Sequence, residues 1–290
     1  MSGDYQLVEL ANGTKTLYSA SYGEKMHPGL GPVAEAEQLY VRQLRICERL
    51  QGHADEFVIW DVGLGAAANA IATLRATKEI AGKLHLASFD NTTGPLEFAL
   101  KNSTALGYVA GYETQIASLL RDKKVAFQDG KLEVEWHFHL GDFPALVKSN
   151  STVGKLASAV SHPPHAIFYD AFSPAKNPGM WTLPLFQDLF RALAPGRPCA
   201  VTTYSRSTLV RATLLLAGFY VGVGHATGMK EETTIAANDI SLIAEPLDSR
   251  WLERAVRSDS VEPLRVPAYS RQRLSAATLA ELRQRPQFLR

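Results

Sequence analysis

Cysteine is scarce. Two in 290 residues, Cys47 and Cys199, give neither a disulfide framework nor a zinc-ligand set. Net charge is nearly absent as well: 30 basic against 29 acidic side chains leave +1. The surface as a whole therefore does not attract nucleic acid, although a local basic patch stays open. Long hydrophobic runs are missing too. The most apolar stretch, Phe57 to Leu74, contains Asp61, Asn69 and two glycines, so it reads as a strand and a helix joined by a turn and not as a membrane span. The opening MSGDYQLVEL lacks the basic and then apolar order of a secretory leader, so a cytoplasmic location without membrane contact is expected. Neither a P-loop lysine motif nor a G-x-S-x-G is present, which removes two common nucleotide and hydrolase chemistries. With 21 glycines and 15 prolines the chain is neither collagen-like nor of low complexity.

What is present is an alternation of periods. Residues 1–45 are loop-rich, with turn signals at Tyr22-Gly23 and Pro28 to Pro32. A helical pattern covers about Val33 to Leu50. Strands are expected at 57–62, 84–89, 132–140, 165–170, 197–204, 219–224 and 240–245. Helices are expected at 66–78, 95–106, 181–193 and 207–217, the last stopped by Gly218. Strands alternating with helices imply an α/β fold with a mostly parallel, seven-stranded Rossmann-like sheet covered on both faces. Residues 246–290 differ, with nine arginines and no lysine. They read as an extended tail with one short helix near Ser275–Arg285, either strapped onto the sheet domain or reaching a partner. The expected organisation is an extension over the ligand crevice (1–50), a sheet domain (51–245) and this tail (246–290).

In a parallel sheet, ligands sit beyond the carboxyl ends of the strands. After the first strand comes Asp61-Val-Gly63-Leu-Gly65, followed by Asn69, a glycine turn that lets backbone approach a ligand closely. Asp90 follows the second strand, placed to accept from ribose hydroxyls. Asp142 follows the third, placed to accept from an adenine amine, and Asp170 follows the fourth. A dinucleotide site would put a third glycine where Ala68 stands, and no cation clamps a phosphate. An acid-lined nucleoside crevice without a phosphate clamp suits a nucleoside that is itself positively charged. S-adenosylmethionine, a sulfonium, is such a ligand, and the reading is a class I methyltransferase.

The segment Asp170-Ala-Phe-Ser-Pro-Ala-Lys-Asn-Pro-Gly-Met-Trp181 closely resembles the D-G-F-[AS]-P-x-K-N-P-x-M-W motif of the MnmC-like methyltransferases. The glycine turn, Asp90 with Pro95-Leu96, Gly141-Asp142, the Tyr204 to Arg211 segment and Gly218-Phe219 agree with it, so the resemblance spans roughly residues 15–245. It implies transfer of a methyl group from S-adenosylmethionine to the exocyclic amine of 5-aminomethyl-2-thiouridine at a tRNA wobble position. It also implies that the FAD-dependent half of the bifunctional members is absent, and that no FAD and no metal take part. Where the family carries cations, this chain has Glu37 and Glu231.

Within that reading Asp170 is the expected catalytic residue, orienting the amine or taking its proton. Asp61, Gly63, Gly65, Asn69, Asp90, Asp142 and Asp170 are expected around the cofactor. Tyr22, Phe172, Lys176, Asn177, Met180, Trp181 and Lys230 are expected around the substrate, with Trp181 either a stacking face for a splayed base or a core residue. Tyr22, Gly23 and His27 lie in a loop that either lids the cofactor or packs as ordinary loop. His137 and His139 share the polar face of one strand and read as solvated. The alternatives are a methyltransferase of a small molecule or protein, a spermidine-synthase-like aminopropyltransferase, and a non-catalytic binding protein.

Overall fold

The computed structural model describes residues 4–53, 55–151, 162–228 and 231–289. A small antiparallel sheet comes first: β1 (Tyr5–Glu9), β2 (Lys15–Ser19) and β3 (Glu24–Lys25). Then follow α1 (Pro32–Ala36), a π-helical turn (Glu37–Arg42) and α2 (Ile46–Gln51). The single helix expected over 33–50 is thus split, because Arg45 turns the backbone left-handed at φ 52°.

The main domain alternates β4 (Glu56–Val62), α3 (Ala68–Thr77), β5 (Gly82–Asp90), α4 (Gly94–Lys101), α5 (Ser103–Leu106) and α6 (Glu113–Asp122). It continues with β6 (Lys124–Asp129), β7 (Leu132–Leu140), α7 (Phe143–Ser151), β8 (Ala166–Tyr169), α8 (Leu183–Ala192), β9 (Ala200–Thr203), α9 (Thr208–Ala217), β10 (Tyr220–Gly224) and β11 (Thr233–Ala237). The residues after β11 add α10 (Ser249–Val256) and α11 (Ala276–Arg283).

Among the described residues the sheet has eight strands in the order β10-β11-β9-β8-β4-β5-β7-β6. Pairing is parallel from β9 through β8, β4 and β5 to β7, and antiparallel at both edges. The eighth strand, β6, was not expected. It returns into β7 through the two-residue turn Gly130-Lys131; Gly130 sits at φ 60°, and a side chain there would press on the Lys78 carbonyl at 2.4 Å. The strand expected at 240–245 is also corrected. The pairing strand is the β-branched run Thr233–Ala237, and 240–242 form one 3-10 turn that Asp239 caps by accepting from the Ser241 N–H at 2.9 Å.

Each face of the sheet carries its own core, as strand alternation requires. On one side Phe57, Ile59, Leu86, Trp136 and Phe168 meet the helices before and after β4. On the other, Trp60, Phe89, Tyr169 and Val201 meet α7, α8 and α9. The chain after residue 246 joins this second core through two helices, not the one expected: Trp251, Leu252, Leu264 and Leu282 are buried in it. Gln287 fixes its end by donating to the Val221 and Leu247 carbonyls at 2.7 Å each. Among the described residues no helix is long and apolar enough to cross a membrane.

Candidate active site

The central strands end together, and backbone hydrogen bonds tie those ends to one another. The N–H groups of Gly63 and Leu64 both reach the Phe89 carbonyl at 3.0 Å, Gly141 N–H reaches the Asp90 carbonyl at 2.9 Å, and Asp170 N–H reaches the Val62 carbonyl at 2.9 Å. Gly63 has φ 95°, and a Cβ there would stand 2.7 Å from the Asp170 carbonyl oxygen. Only glycine lets the β4 turn and the β8 end approach this closely. Ala67 is left-handed at φ 61° as it opens α3, which costs an alanine about 1–2 kcal/mol.

Over these ends lies a cavity of about 700 Å³, within the size range of small-molecule sites. The N-terminal segment supplies one wall through Tyr5, Tyr22, Met26, His27 and Tyr40. Tyr40 sits on the π-helical turn, a local widening common at functional sites. Charge in the wall is one-sided: Glu24, Glu35, Asp90, Asp142 and Asp170 face Lys25 and His27.

Asp170 is the best-supported group in the wall. Its Oδ2 lies 3.1 Å from His27 Nε2 and accepts from Asn69 Nδ2 at 2.9 Å. Burial alone would raise its pKa. The His27 hydrogen bond and charge, with Asn69 and Tyr40, outweigh that and hold the carboxyl below its ordinary range. Burial likewise pulls the His27 imidazole down, and the bond to Asp170 with its charge lifts it net above the ordinary value. Asp90 spends its oxygens on the backbone, accepting from Gly65 N–H at 2.9 Å and Thr92 N–H at 3.2 Å. Burial raises its pKa and these bonds oppose the rise. Asp142 is exposed at the rim and accepts from Ala145 N–H at 3.2 Å, capping α7.

The other expected residues separate into three groups. Gly63, Gly65, Tyr22, Phe172, Asn177 and Met180 line the cavity, with the Tyr22 and Phe172 rings stacked at 4.0 Å. Asp61 and Asn69 are buried behind the wall. Asp61 Oδ2 accepts from Ser88, whose own oxygen accepts from Trp136 Nε1, while burial pushes the carboxyl up to about 7 against the Ser88 bond. Trp181 and Lys176 are not on the wall. Trp181 is fully buried in the second core, and its Nε1 donates to the Phe172 carbonyl at 2.8 Å, so the indole has no face for a base. Lys176 is exposed, and its Nζ lies beside the N-terminal loop, 3.6 Å from where a Cβ on Gly23 would stand. Lys230 lies outside the described residues. Glu37 is bound by Arg42 at 2.6 Å, and Glu231 lies 3.9 Å from Arg206.

His27 was the residue the sequence left undecided, since a histidine in a glycine- and proline-rich loop carries no period or motif. Its placement gives a pH prediction. A raised imidazole pKa contributes stability that is full below the unfolded value of 6.5 and is lost as pH rises through the folded value. A lowered Asp170 pKa contributes stability that is full above 3.8 and is lost as pH falls through the folded value. His27→Gln should therefore cost most between those two values and least above the raised imidazole pKa. Urea unfolding of both proteins at about pH 5.5 and about pH 9 measures it, and an equal deficit at both would show that the pair is not charged.

The cavity's features fit S-adenosylmethionine. Glycine backbone forms the floor, acids without a phosphate clamp suit a sulfonium, and Asp90 and Asp142 stand at successive strand ends. Over residues 114–239 the chain matches a family model described as S-adenosyl-L-methionine-dependent methyltransferase. The tRNA 5-methylaminomethyl-2-thiouridine biosynthesis bifunctional protein MnmC of Aeromonas hydrophila is 27% identical over 237 residues, covering 76% of this chain and 34% of that protein. That of Methylibium petroleiphilum is 28% identical over 251 residues, covering 79% and 34%. In sequence the chain is similar to these MnmC proteins over about three quarters of its length. Its fold also matches the crystal structure of MnmC2 from Aquifex aeolicus with a TM-score of 0.68 at 24% identity, over 97% of this chain and 83% of the other. The chain spans about one third of the length of the MnmC proteins it matches. The loop Asp170–Trp181 that carries the MnmC-like motif is, in this fold, a self-bonded turn: Lys176 and Asn177 N–H groups both reach the Ser173 carbonyl, and Tyr169 donates to the Met180 carbonyl.

Proposed function

We propose that this chain is an S-adenosylmethionine-dependent N-methyltransferase acting on the exocyclic amine of 5-aminomethyl-2-thiouridine at the tRNA wobble position, without an FAD-dependent half and without a metal in the transfer. The observation that carries it is the buried, ionised Asp170 in an acid-lined nucleoside-sized cavity, within a chain that is MnmC-like over most of its length.

S-adenosylmethionine, when bound, supplies the electrophilic methyl carbon; Asp90 is placed for its ribose, Asp142 for its adenine amine, and the Gly63 and Gly65 backbone for close approach. The chain's own work is positioning, which in favourable cases contributes about 7–11 kcal/mol. Asp170 accepts from the attacking amine and fixes the direction of its lone pair. His27 and Asn69 hold that carboxylate in one rotamer. The amine must lose a proton to attack, and the buried His27–Asp170 pair is the acceptor this reading assigns to it. Tyr22 and Phe172 offer a flat apolar edge to the base that carries the amine.

The deciding test mixes the chain with methyl-labelled S-adenosylmethionine and tRNA bearing 5-aminomethyl-2-thiouridine, followed by nucleoside mass spectrometry. The expected product is labelled 5-methylaminomethyl-2-thiouridine. Cofactor binding without product would move the acceptor to a small molecule or protein. Glu37 and Glu231, which stand where the family has cations, favour that second reading.

A further inference from the structure

The opposite end of the sheet holds a cluster that methyl transfer does not use. The register sets Val58 of β4 beside His85 of β5, and His85 beside Glu135 of β7, so these side chains share a face. Glu56, two residues before Val58, lies on that face as well. His162 reaches it from the segment that leads into β8, its carbonyl fixed by Trp60 Nε1 at 3.1 Å. One ligating atom from each of Glu56, His85 and His162 lies within 4.8 Å of the others. From His85 to the cavity-lining Asp90 is five residues of strand, about 16 Å. The cluster is therefore separate from the candidate active site.

We infer that Glu56, His85 and His162 form a binding site for a divalent transition-metal ion of the zinc type. Two observations point to a ligand in place of an internal hydrogen bond. His85 is 4% exposed, and among the described residues its Nδ1 has no hydrogen-bond partner; nor has Oε1 of Glu56. These two atoms face each other at 3.5 Å, too long for a good hydrogen bond. Two ligands of one tetrahedral zinc, each about 2.0–2.2 Å from the metal, stand roughly 3.3–3.6 Å apart. The geometry of the orphaned pair is that of two ligands, and an ion between them would satisfy both.

A fourth position is provided. Glu135 Oε2 lies 3.8 Å from the same His85 nitrogen, and its other oxygen pairs with His137 Nε2 at 2.7 Å. Glu135 is half exposed, so the site opens to solvent on that side and an ion can enter. Two imidazoles with carboxylates suit zinc, nickel, copper or cobalt and not calcium or magnesium, which prefer all-oxygen shells. The ion would join the starts of β4 and β5 to the chain entering β8, a tether across three elements.

The untagged full-length chain is stripped with chelator, equilibrated with zinc chloride, passed through a desalting column and analysed for bound metal. Thermal melts are recorded with and without zinc, and cobalt(II) is titrated to read the coordination spectrum. The wild type should retain one equivalent, melt at a higher temperature with zinc, and give the visible bands of a four-coordinate cobalt site. His162→Asn and Glu56→Gln should each lose at least the roughly 10–100-fold in affinity that even outer-sphere changes cost. Both changes lie at the edge of the cluster, and the metal-free melt verifies that each variant folds. His139→Gln, on the strand of Glu135 but outside the cluster, should bind as the wild type does. Failure of the wild type to retain zinc, or equal retention by both ligand variants, would overturn the inference. Either result leaves the methyl-transfer reading untouched, because no assay here uses the cofactor.

Discussion

Asp170→Asn is expected to lower the rate of methyl transfer by roughly 10²–10⁴-fold, the range attributed to a positioned acid or base. Asparagine keeps the shape and still accepts from His27 and Asn69, so the cavity should stay formed. What it lacks is the negative charge. An amide cannot take a proton and holds an amine's lone pair less firmly. The imidazole of His27 also loses the charge that lifts it, so its pKa should fall toward or below the ordinary histidine value, now dominated by burial. Two measurements separate the roles. Single-turnover transfer reports the chemistry, and calorimetric titration with S-adenosylmethionine reports binding. Loss of rate with binding within about tenfold supports a role toward the amine. A loss confined to cofactor binding would make Asp170 a cofactor residue only, and activity within a few-fold of wild type would remove it from the mechanism.

Trp181→Ala should give the largest loss of stability of any single change in the motif, about 3–5 kcal/mol as for other fully buried aromatics. The indole fills space between Tyr169, Phe186 and Tyr204, and its N–H satisfies the Phe172 carbonyl. Trp181→Phe should cost less, about 1–3 kcal/mol, mostly from leaving that carbonyl unpaired. Equilibrium urea unfolding of the three proteins measures both values. A stacking residue would behave oppositely, with stability nearly unchanged and the tRNA KM raised. Finding that pattern would mean the 170–181 loop opens to bring the indole to the substrate.

The two expectations rest on residues from one motif, and the difference between them lies in the third dimension. Spacing alone put Asp170 at a strand end, where it stands, and Trp181 at the start of a helix, where it instead closes a 3-10 turn two residues before α8. Whether a side chain at such a position faces a cavity or a core depends on what packs from the far side. For Trp181 that is Tyr204, 23 residues on, and the chain around Leu264, which pairs with Thr182. Local sequence carries no trace of either contact.

Chemistry at strand ends was readable because a parallel sheet converts order along the chain into position in space. Asp61, Asp90, Asp142 and Asp170 each follow an apolar run, and the parallel pairing brings those runs' ends together. The glycine turn was readable because Gly63 answers a steric demand that only glycine meets. The extra strand β6 also had a signal, Asp129-Gly130 between two β-prone runs, though its partly exposed alternation is that of an edge strand.

The sequence by itself thus determined the sheet class, the end of the sheet that carries the cavity, and three of the acids that line it, Asp90, Asp142 and Asp170. These follow from periodicity and steric rules that act over a few residues. Only the tertiary structure decided that His27, 143 residues before Asp170, is its partner. In the same way it alone buried Asp61 and Asn69 behind the cavity wall and Trp181 in the second core, and brought Glu56, His85 and His162 into one cluster. Each of these depends on contacts between distant segments, and such contacts are set by how whole faces pack and not by the identity of any neighbour in the chain.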